Sequence, residues 1–223
     1  MATASGGCTG GKRHRRRPRG SPPCPLLRYC PKSGAPISHD TAIHDAHREL
    51  IEAQEMFFVA TAPLSPSGHV NVSPKGLAGT FAVIDEHTVA YLDSYGSGIE
   101  TMAHLRENGR LCIMFCSFGE KPRTLRLWGQ GEPIEPDHAD FASLRAHFPE
   151  LPGTRALIRL NVSRVATSCG FGVPCYTFEG HRTELPDYAE EWGDEKIRSF
   201  TQKLNAESID GLPGTEYWMK QPE

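Results

Sequence analysis

Two short stretches carry the residue types and spacing that could do chemistry. Asn71-Val72-Ser73-Pro74-Lys75-Gly76 ends an alternating strand with a lysine at a tight Pro/Gly turn. About two dozen residues later, Asp93-Ser94-Tyr95-Gly96-Ser97-Gly98-Ile99-Glu100-Thr101 ends another strand, crosses two glycines and runs into the helix-like Met102 to Glu107. A helix start offers unpaired N–H groups and the positive end of a dipole, which suit an anion. One lysine and two serines beside it make a cradle for a phosphate monoester. The same residues also admit a plainer account. Ser97-x-x-Glu100 fits a capping box that satisfies the helix end internally, and Pro74-Lys75-Gly76 fits an exposed turn with a solvated lysine.

These stretches need strands and a helix to position them, and the chain supplies both. Asp40 to Gln54 has helical periodicity, with Ile43, His47, Leu50 and Ile51 on one face. Strands then dominate: Met56 to Ala62, His69 to Ser73, Thr80 to Ile84, Thr88 to Asp93, Arg110 to Phe118, Arg123 to Ile134 and Ala156 to Thr167. Helices are expected over Ser97 to Asn108, Asp137 to Phe148 and roughly Leu185 to Asn205, the first of these stopped by Gly109. So few helices among so many short strands argue for an antiparallel barrel, mainly β with flanking helices. A doubly wound sheet would need a helix after nearly every strand, so Gly96-x-Gly98 is not a dinucleotide fingerprint.

Composition bounds the answer. The 223 residues are 38% hydrophobic and 23% charged, enough for one domain with a substantial core. No apolar run approaches the ~20 residues a membrane span needs. Residues 1–39 hold eight Lys or Arg and no acid. The other 16 basic residues face all 27 acids, a body charge of about −11 inside a net charge of −3. Such a body disfavours sequence-independent nucleic-acid binding. The Gly-, Pro- and Arg-rich segment 1–39 reads as a disordered tail, either a plain extension or an organelle-targeting or nuclear-import signal. Seven cysteines and no apolar leader point to reduced thiols and a cytoplasmic protein. Cys24-x5-Cys30 and Cys169-x5-Cys175 lack zinc-knuckle spacing, and His44-x-x-His47 has no third ligand pattern, so no metal site is expected.

With those residues in view, the chain resembles the pyridoxamine 5'-phosphate oxidase-like family. The resemblance is carried by Phe57 to Ala62, Gly68-His69-Val70-Asn71-Val72-Ser73-Pro74-Lys75-Gly76, Asp93-x-x-Gly96-Ser97-Gly98-x-Glu100-Thr101, His104 to Arg110, Met114-Phe115-Cys116, Arg126-Leu127-x-Gly129-x-Gly131, Cys169-Gly170-x-Gly172-Val173-Pro174 and Ser208 to Pro213. It implies a split β-barrel over residues 40–213 that binds FMN at a homodimer interface, followed by a C-terminal tail, 214–223. On that footing Ser73 and Lys75 face the FMN phosphate or ribityl chain. Ser97, Gly98 and Thr101 supply hydroxyls and amides at the helix start. Asn71 and Asp93 bond the ribityl or ring edge, and Phe171 walls the isoalloxazine or sits in an ordinary Gly/Pro turn. Cys169 is a redox thiol or inert, and Arg126 faces a phosphate or the surface. The implied activity is FMN-dependent oxidoreduction of a small molecule, with hydride passing through flavin N5. The alternative is a non-catalytic flavin-binding or redox-sensing protein. The segment Gly214 to Lys220 lacks the Arg-x-Glu-x-Trp pattern of the vitamin B6 oxidases, which argues against that substrate. No catalytic side chain stands out, as befits chemistry carried by a cofactor.

Overall fold

The computed structural model describes residues 39–222. Nearly all of the Arg-rich segment, with Cys24 and Cys30, lies outside the described residues; His39 alone enters, as backbone of the first strand.

Eight strands form one antiparallel sheet: β1 (His39–Asp40), β2 (Phe57–Thr61), β3 (Asn71–Lys75), β4 (Phe81–Val83), β5 (Thr88–Ser94), β6 (Arg110–Cys116), β7 (Arg123–Ile134) and β8 (Thr154–Cys169). The hydrogen-bonded order is β3-β2-β6-β7-β8-β5-β4, with β1 attached to β8. Helices α1 (Asp45–Glu52), α2 (Glu100–Asn108), α3 (Phe141–Arg145) and α4 (Glu184–Leu204) flank it. This is the mainly β, antiparallel barrel expected from the strand spacing, split as the family resemblance implies.

The barrel is split because its ladder ends at β3 on one side and β4 on the other, while the sheet curls until those ends face each other. Side chains bridge the opening. Phe57 of β2 packs edge-on against Phe81 of β4 and Tyr91 of β5, with ring centroids 4.9 and 5.4 Å apart. Lys75 of β3 pairs with Asp93 of β5. Curling needs a long, bent strand, and β8 serves: residues 154–161 pair with β5, and 165–166 pair with β1. β7 pairs with it over residues 157–169 but shifts register between Trp128 and Gly129. A Cβ at Gly129 would lie 1.9 Å from the Asn161 carbonyl oxygen, so only glycine fits this bulge.

The period-2 pattern sets the faces. Leu125 and Leu127 point into the barrel with Val59, Ile113 and Val165, all fully buried. Arg126 and Trp128 point outward and are half-buried. A second apolar cluster, Leu92, Ile134, Leu144, Phe148 and Leu157, joins the outer side of β5 and β8 to α3.

Several elements differ from expectation at their ends. The first helix begins at Asp45, because Asp40 pairs with Val165 as strand. The third runs only over Phe141–Arg145. β3 sits two residues later than expected; Pro74 is tolerated because β3 is an edge strand. Helix α4 is broken at Gly193, where φ is 69°. The C-terminal tail is pinned to the body: Glu135 accepts bonds from the Thr215 hydroxyl and the Glu216 and Tyr217 amides, and Arg106 donates to Gly214 O.

Candidate functional site

Alternation along β3 turns Asn71, Ser73 and Lys75 to the barrel side and leaves Val72 and Pro74 exposed. Asp93 is the last residue but one of β5, and Thr101 stands in the first turn of α2. These elements enclose a cavity of about 360 Å³ whose walls include Ser73, Lys75, Asp93, Gly98, Thr101 and Arg155. That is a small-molecule volume.

Asp93 is the electrostatic centre. It is 1% exposed and accepts from Lys75 Nζ at 3.0 Å on one oxygen, and from Arg155 Nε and Nη2 at 3.0 and 2.6 Å on the other. Burial alone would raise its pKa. The Arg155 and Lys75 charges, with their hydrogen bonds, outweigh burial and hold it at about 2, below its ordinary 3.8. A folded-state pKa below the unfolded one stabilises above the unfolded value, and that contribution is lost as pH falls through 3.8 toward 2. The difference amounts to about 2 kcal/mol. Urea denaturation between pH 6 and pH 2 should therefore show a steeper acid loss in the native chain than in Asp93→Asn; parallel profiles would contradict this assignment.

Arg155 does more than neutralise. Its Nη1 donates to Gly98 O at 3.0 Å and to Asn205 Oδ1 at 2.6 Å, while Asn205 Nδ2 donates to Gly96 O at 2.9 Å. The carbonyls of the 96–98 turn thus point into the body. In a planar trans peptide the following N–H points the other way, so the Ser97 amide is turned away from Asn205. The Trp218 indole anchors this arrangement by donating to Arg155 O at 2.9 Å.

A polar chain runs along the other wall. Asn71 Nδ2 donates to Thr61 and Thr101 at 3.2 and 3.0 Å, and Asn71 Oδ1 accepts from Ser73 at 3.0 Å. Thr61 meets the fully buried His104 Nδ1 at 2.9 Å, and His104 Nε2 has no partner among the described residues. Burial keeps His104 below its ordinary pKa, despite the carboxylates of Asp210, Glu100 and Glu107 around it.

Six of the residues singled out from sequence therefore meet here: Asn71, Ser73, Lys75, Asp93, Gly98 and Thr101. Their roles divide. Asp93 has each oxygen engaged and holds the cations; Asn71 has both N–H donors engaged and orients its neighbours. Ser73 keeps oxygen lone pairs for a ligand. Thr101 accepts from Asn71. Lys75, a quarter exposed, has used one of three donors. Gly98 lines the cavity by its backbone.

Ser97 and Phe171 are not brought into it. Helix α2 opens at Glu100, not near Ser97, and its N-cap position is Ile99. The Ile99 amide is taken by the Glu100 carboxylate at 3.0 Å, so the capping box is replaced by a contact one residue away, and Ser97 is left exposed. Phe171 is 58% exposed on the turn after β8, where Gly170 N–H donates to Pro122 O. Cys169 is exposed nearby. Burial pushes the Cys112 thiol up to about 11 although Arg126 opposes it, which leaves it protonated. Arg126 bonds Thr124 and Ser168 on the outer face, away from the cavity walls. Arg155 and Asn205 escaped the sequence reading. The signal for Arg155 was a charge opening an otherwise apolar strand.

The lining charges balance: Lys75 and Arg155 against Asp93 and Glu100. A neutral ring with a hydroxylated chain fits this donor and acceptor set directly. A phosphate fits at Lys75, with Glu100 as the like-charged group beside it.

Residues 43–169 match the family model described as pyridoxamine 5'-phosphate oxidase. A relative from Aspergillus flavus, the pyridoxamine 5'-phosphate oxidase family protein ustO, is 39% identical over 214 residues, covering 83% of this chain and 80% of that protein. Among solved structures, Group A Streptococcus HupZ is 22% identical with a TM-score of 0.42, over 55% of this chain and 91% of that one. A protein titled FAD-binding from Mesorhizobium loti is 15% identical with a TM-score of 0.42, over 59% and 96%. The family match over more than half of the sequence, and a relative of this identity, establish that the chain belongs to the pyridoxamine 5'-phosphate oxidase family.

Proposed function

We propose that this protein is an FMN-dependent oxidoreductase acting on a small molecule other than a vitamin B6 phosphate. The observation that carries the reading is the cavity between β3, β5 and the start of α2, where Lys75, Ser73 and Thr101 converge beside the buried Asp93–Arg155 pair. Family membership supports the flavin. When bound, the flavin supplies hydride acceptance and donation at N5. The protein's own part is to hold and orient: Lys75 receives the phosphate, Ser73 and Thr101 bond the ribityl hydroxyls, and Asp93 with Arg155 fixes the lysine and the turn.

The outer sheet face supports a homodimer. Val72, Ala60, Cys112 and Trp128 lie in one cross-strand row, with Pro74, Phe58, Met114 and Arg126 in the next. Val72 is 61% exposed, and this largely apolar face is left uncovered by the chain's own helices among the described residues. Among those residues no helix is long and apolar enough to cross a membrane.

The purified chain is expected to be yellow, or to become so on titration with FMN. NADPH added anaerobically should bleach the flavin bands, and air should restore them. A protein that stays colourless with excess FMN ends this reading; one that turns yellow but is neither reduced nor reoxidised is a carrier and not an enzyme.

A further inference from the structure

A second cavity, of about 380 Å³, lies beside the first and is assigned to nothing so far. Its floor is aromatic: Phe57, Phe81 and Phe115 pack at centroid distances of 4.9, 5.0 and 5.6 Å. Ile51, Leu77 and Val83 add apolar wall, and Glu52 and Glu55 stand at the rim on the last turn of α1 and just beyond it. His181 meets the Glu55 carboxylate at 3.2 Å. A void of this size, open at the rim, is too large to be a packing defect of a close-packed interior.

The two cavities share Gly76, Leu77 and Thr80. Leu77 is the one non-glycine residue among those described with positive φ, at 77°. The left-handed region costs a residue of this kind about 1–2 kcal/mol, and such strain persists only where the surroundings enforce it. Here Thr80 enforces it: its hydroxyl lies 2.9 Å from both Gly76 O and Leu77 O. The turn is thereby clamped with Leu77 forming a wall of both chambers. The arrangement is a divided pocket, polar and cation-bearing on the Lys75 side, aromatic and acid-rimmed on the other.

We infer that the second cavity binds the non-reacting part of the substrate, and that this part is a small aromatic group carrying a protonated amine. The aromatic floor and the apolar walls select a small, flat apolar body. The two rim glutamates select positive charge and repel carboxylates. The word substrate rests on the flavin reading above; the binding preference itself does not.

Calorimetric titration of the full-length chain with benzylamine tests the inference, with benzoate as the probe of equal size and opposite charge. Benzylamine should saturate one site per chain and benzoate should bind at least tenfold more weakly. Ala78→Trp, at an exposed lining position, should abolish benzylamine binding by filling the chamber. The Glu52→Gln, Glu55→Gln pair should weaken it about three- to tenfold, the range for exposed charge contacts. No saturable benzylamine binding, equal affinity for benzoate, or binding untouched by Ala78→Trp would each overturn the proposal. FMN titration of the same samples separates the two readings. Flavin binding without amine binding sinks only this inference; amine binding to a chain that takes no flavin sinks only the proposed function.

Discussion

Replacing Arg155 with alanine is expected to cost about 3–5 kcal/mol of stability, the range for leaving a buried charge without its partner. Arg155 is 4% exposed and makes four hydrogen bonds: two to Asp93, one to Gly98 O and one to Asn205. Its loss leaves Asp93, 1% exposed, with Lys75 alone. A domain holds only about 5–15 kcal/mol in total, so the variant should unfold at markedly lower urea or fail to accumulate. Packing cannot be the whole reason. An Asp93→Asn, Arg155→Met pair, which removes the charges together, should recover much of the loss, because replacing a buried ion pair by neutral groups is often tolerated. Urea denaturation followed by tryptophan fluorescence reads both variants. A loss below ~1 kcal/mol in the single variant, or a double variant no better than the single, would show that the triad does not hold this end of the barrel. Arg155→Lys is not a safe control, since an ammonium cannot reproduce the fork that engages Asp93 and Gly98 together.

The same residue shows where sequence reasoning reached and where it stopped. Strands were legible because their apolar period is local: β7 occupies Arg123–Ile134 as its alternation of Leu125 and Leu127 with Arg126 and Trp128 indicates, and β5 begins at Thr88 and extends one residue beyond Asp93. Helix starts were less legible, because capping is decided by which side chain reaches which amide. Glu100 takes the Ile99 amide directly, and Ser97, the better cap by residue type, is left outside. Asn71, Ser73 and Lys75 could be placed on one face by counting residues along a strand. Their roles could not be read in that way. Whether Asp93 contacts a ligand or anchors two cations depends on Arg155, 62 residues away in sequence. Yet one physical clue was present: Asp93 directly follows the apolar run Val89-Ala90-Tyr91-Leu92, and Arg155 directly precedes Ala156-Leu157-Ile158. Charges set in such apolar strands are buried only when paired, so each asked for the other. β1 gave no such clue, being two residues long and dependent on β8 for its existence.

Lys75→Ala should weaken FMN binding by about 1.5–3 kcal/mol, the span for a hydrogen bond to a charged group, or roughly 10- to 150-fold in Kd. The fold should survive, because Asp93 keeps both bonds from Arg155 when the ammonium is gone. Riboflavin makes the test specific. If Lys75 meets the phosphate, the native chain should prefer FMN over riboflavin, and Lys75→Ala should erase most of that preference while leaving riboflavin affinity within about threefold, a difference of under 1 kcal/mol. If Lys75 serves only to neutralise Asp93, both ligands should weaken together. Salt gives an independent reading: the FMN preference of the native chain should shrink as ionic strength rises, since Lys75 is partly exposed and its attraction is screened. Glu100 sharpens the expectation. With one carboxylate already on the Ile99 amide, helix α2 supplies less positive potential than a bare helix start would, and the lysine carries a correspondingly larger share of phosphate recognition. An unchanged FMN affinity in Lys75→Ala would therefore remove the phosphate from this cavity altogether.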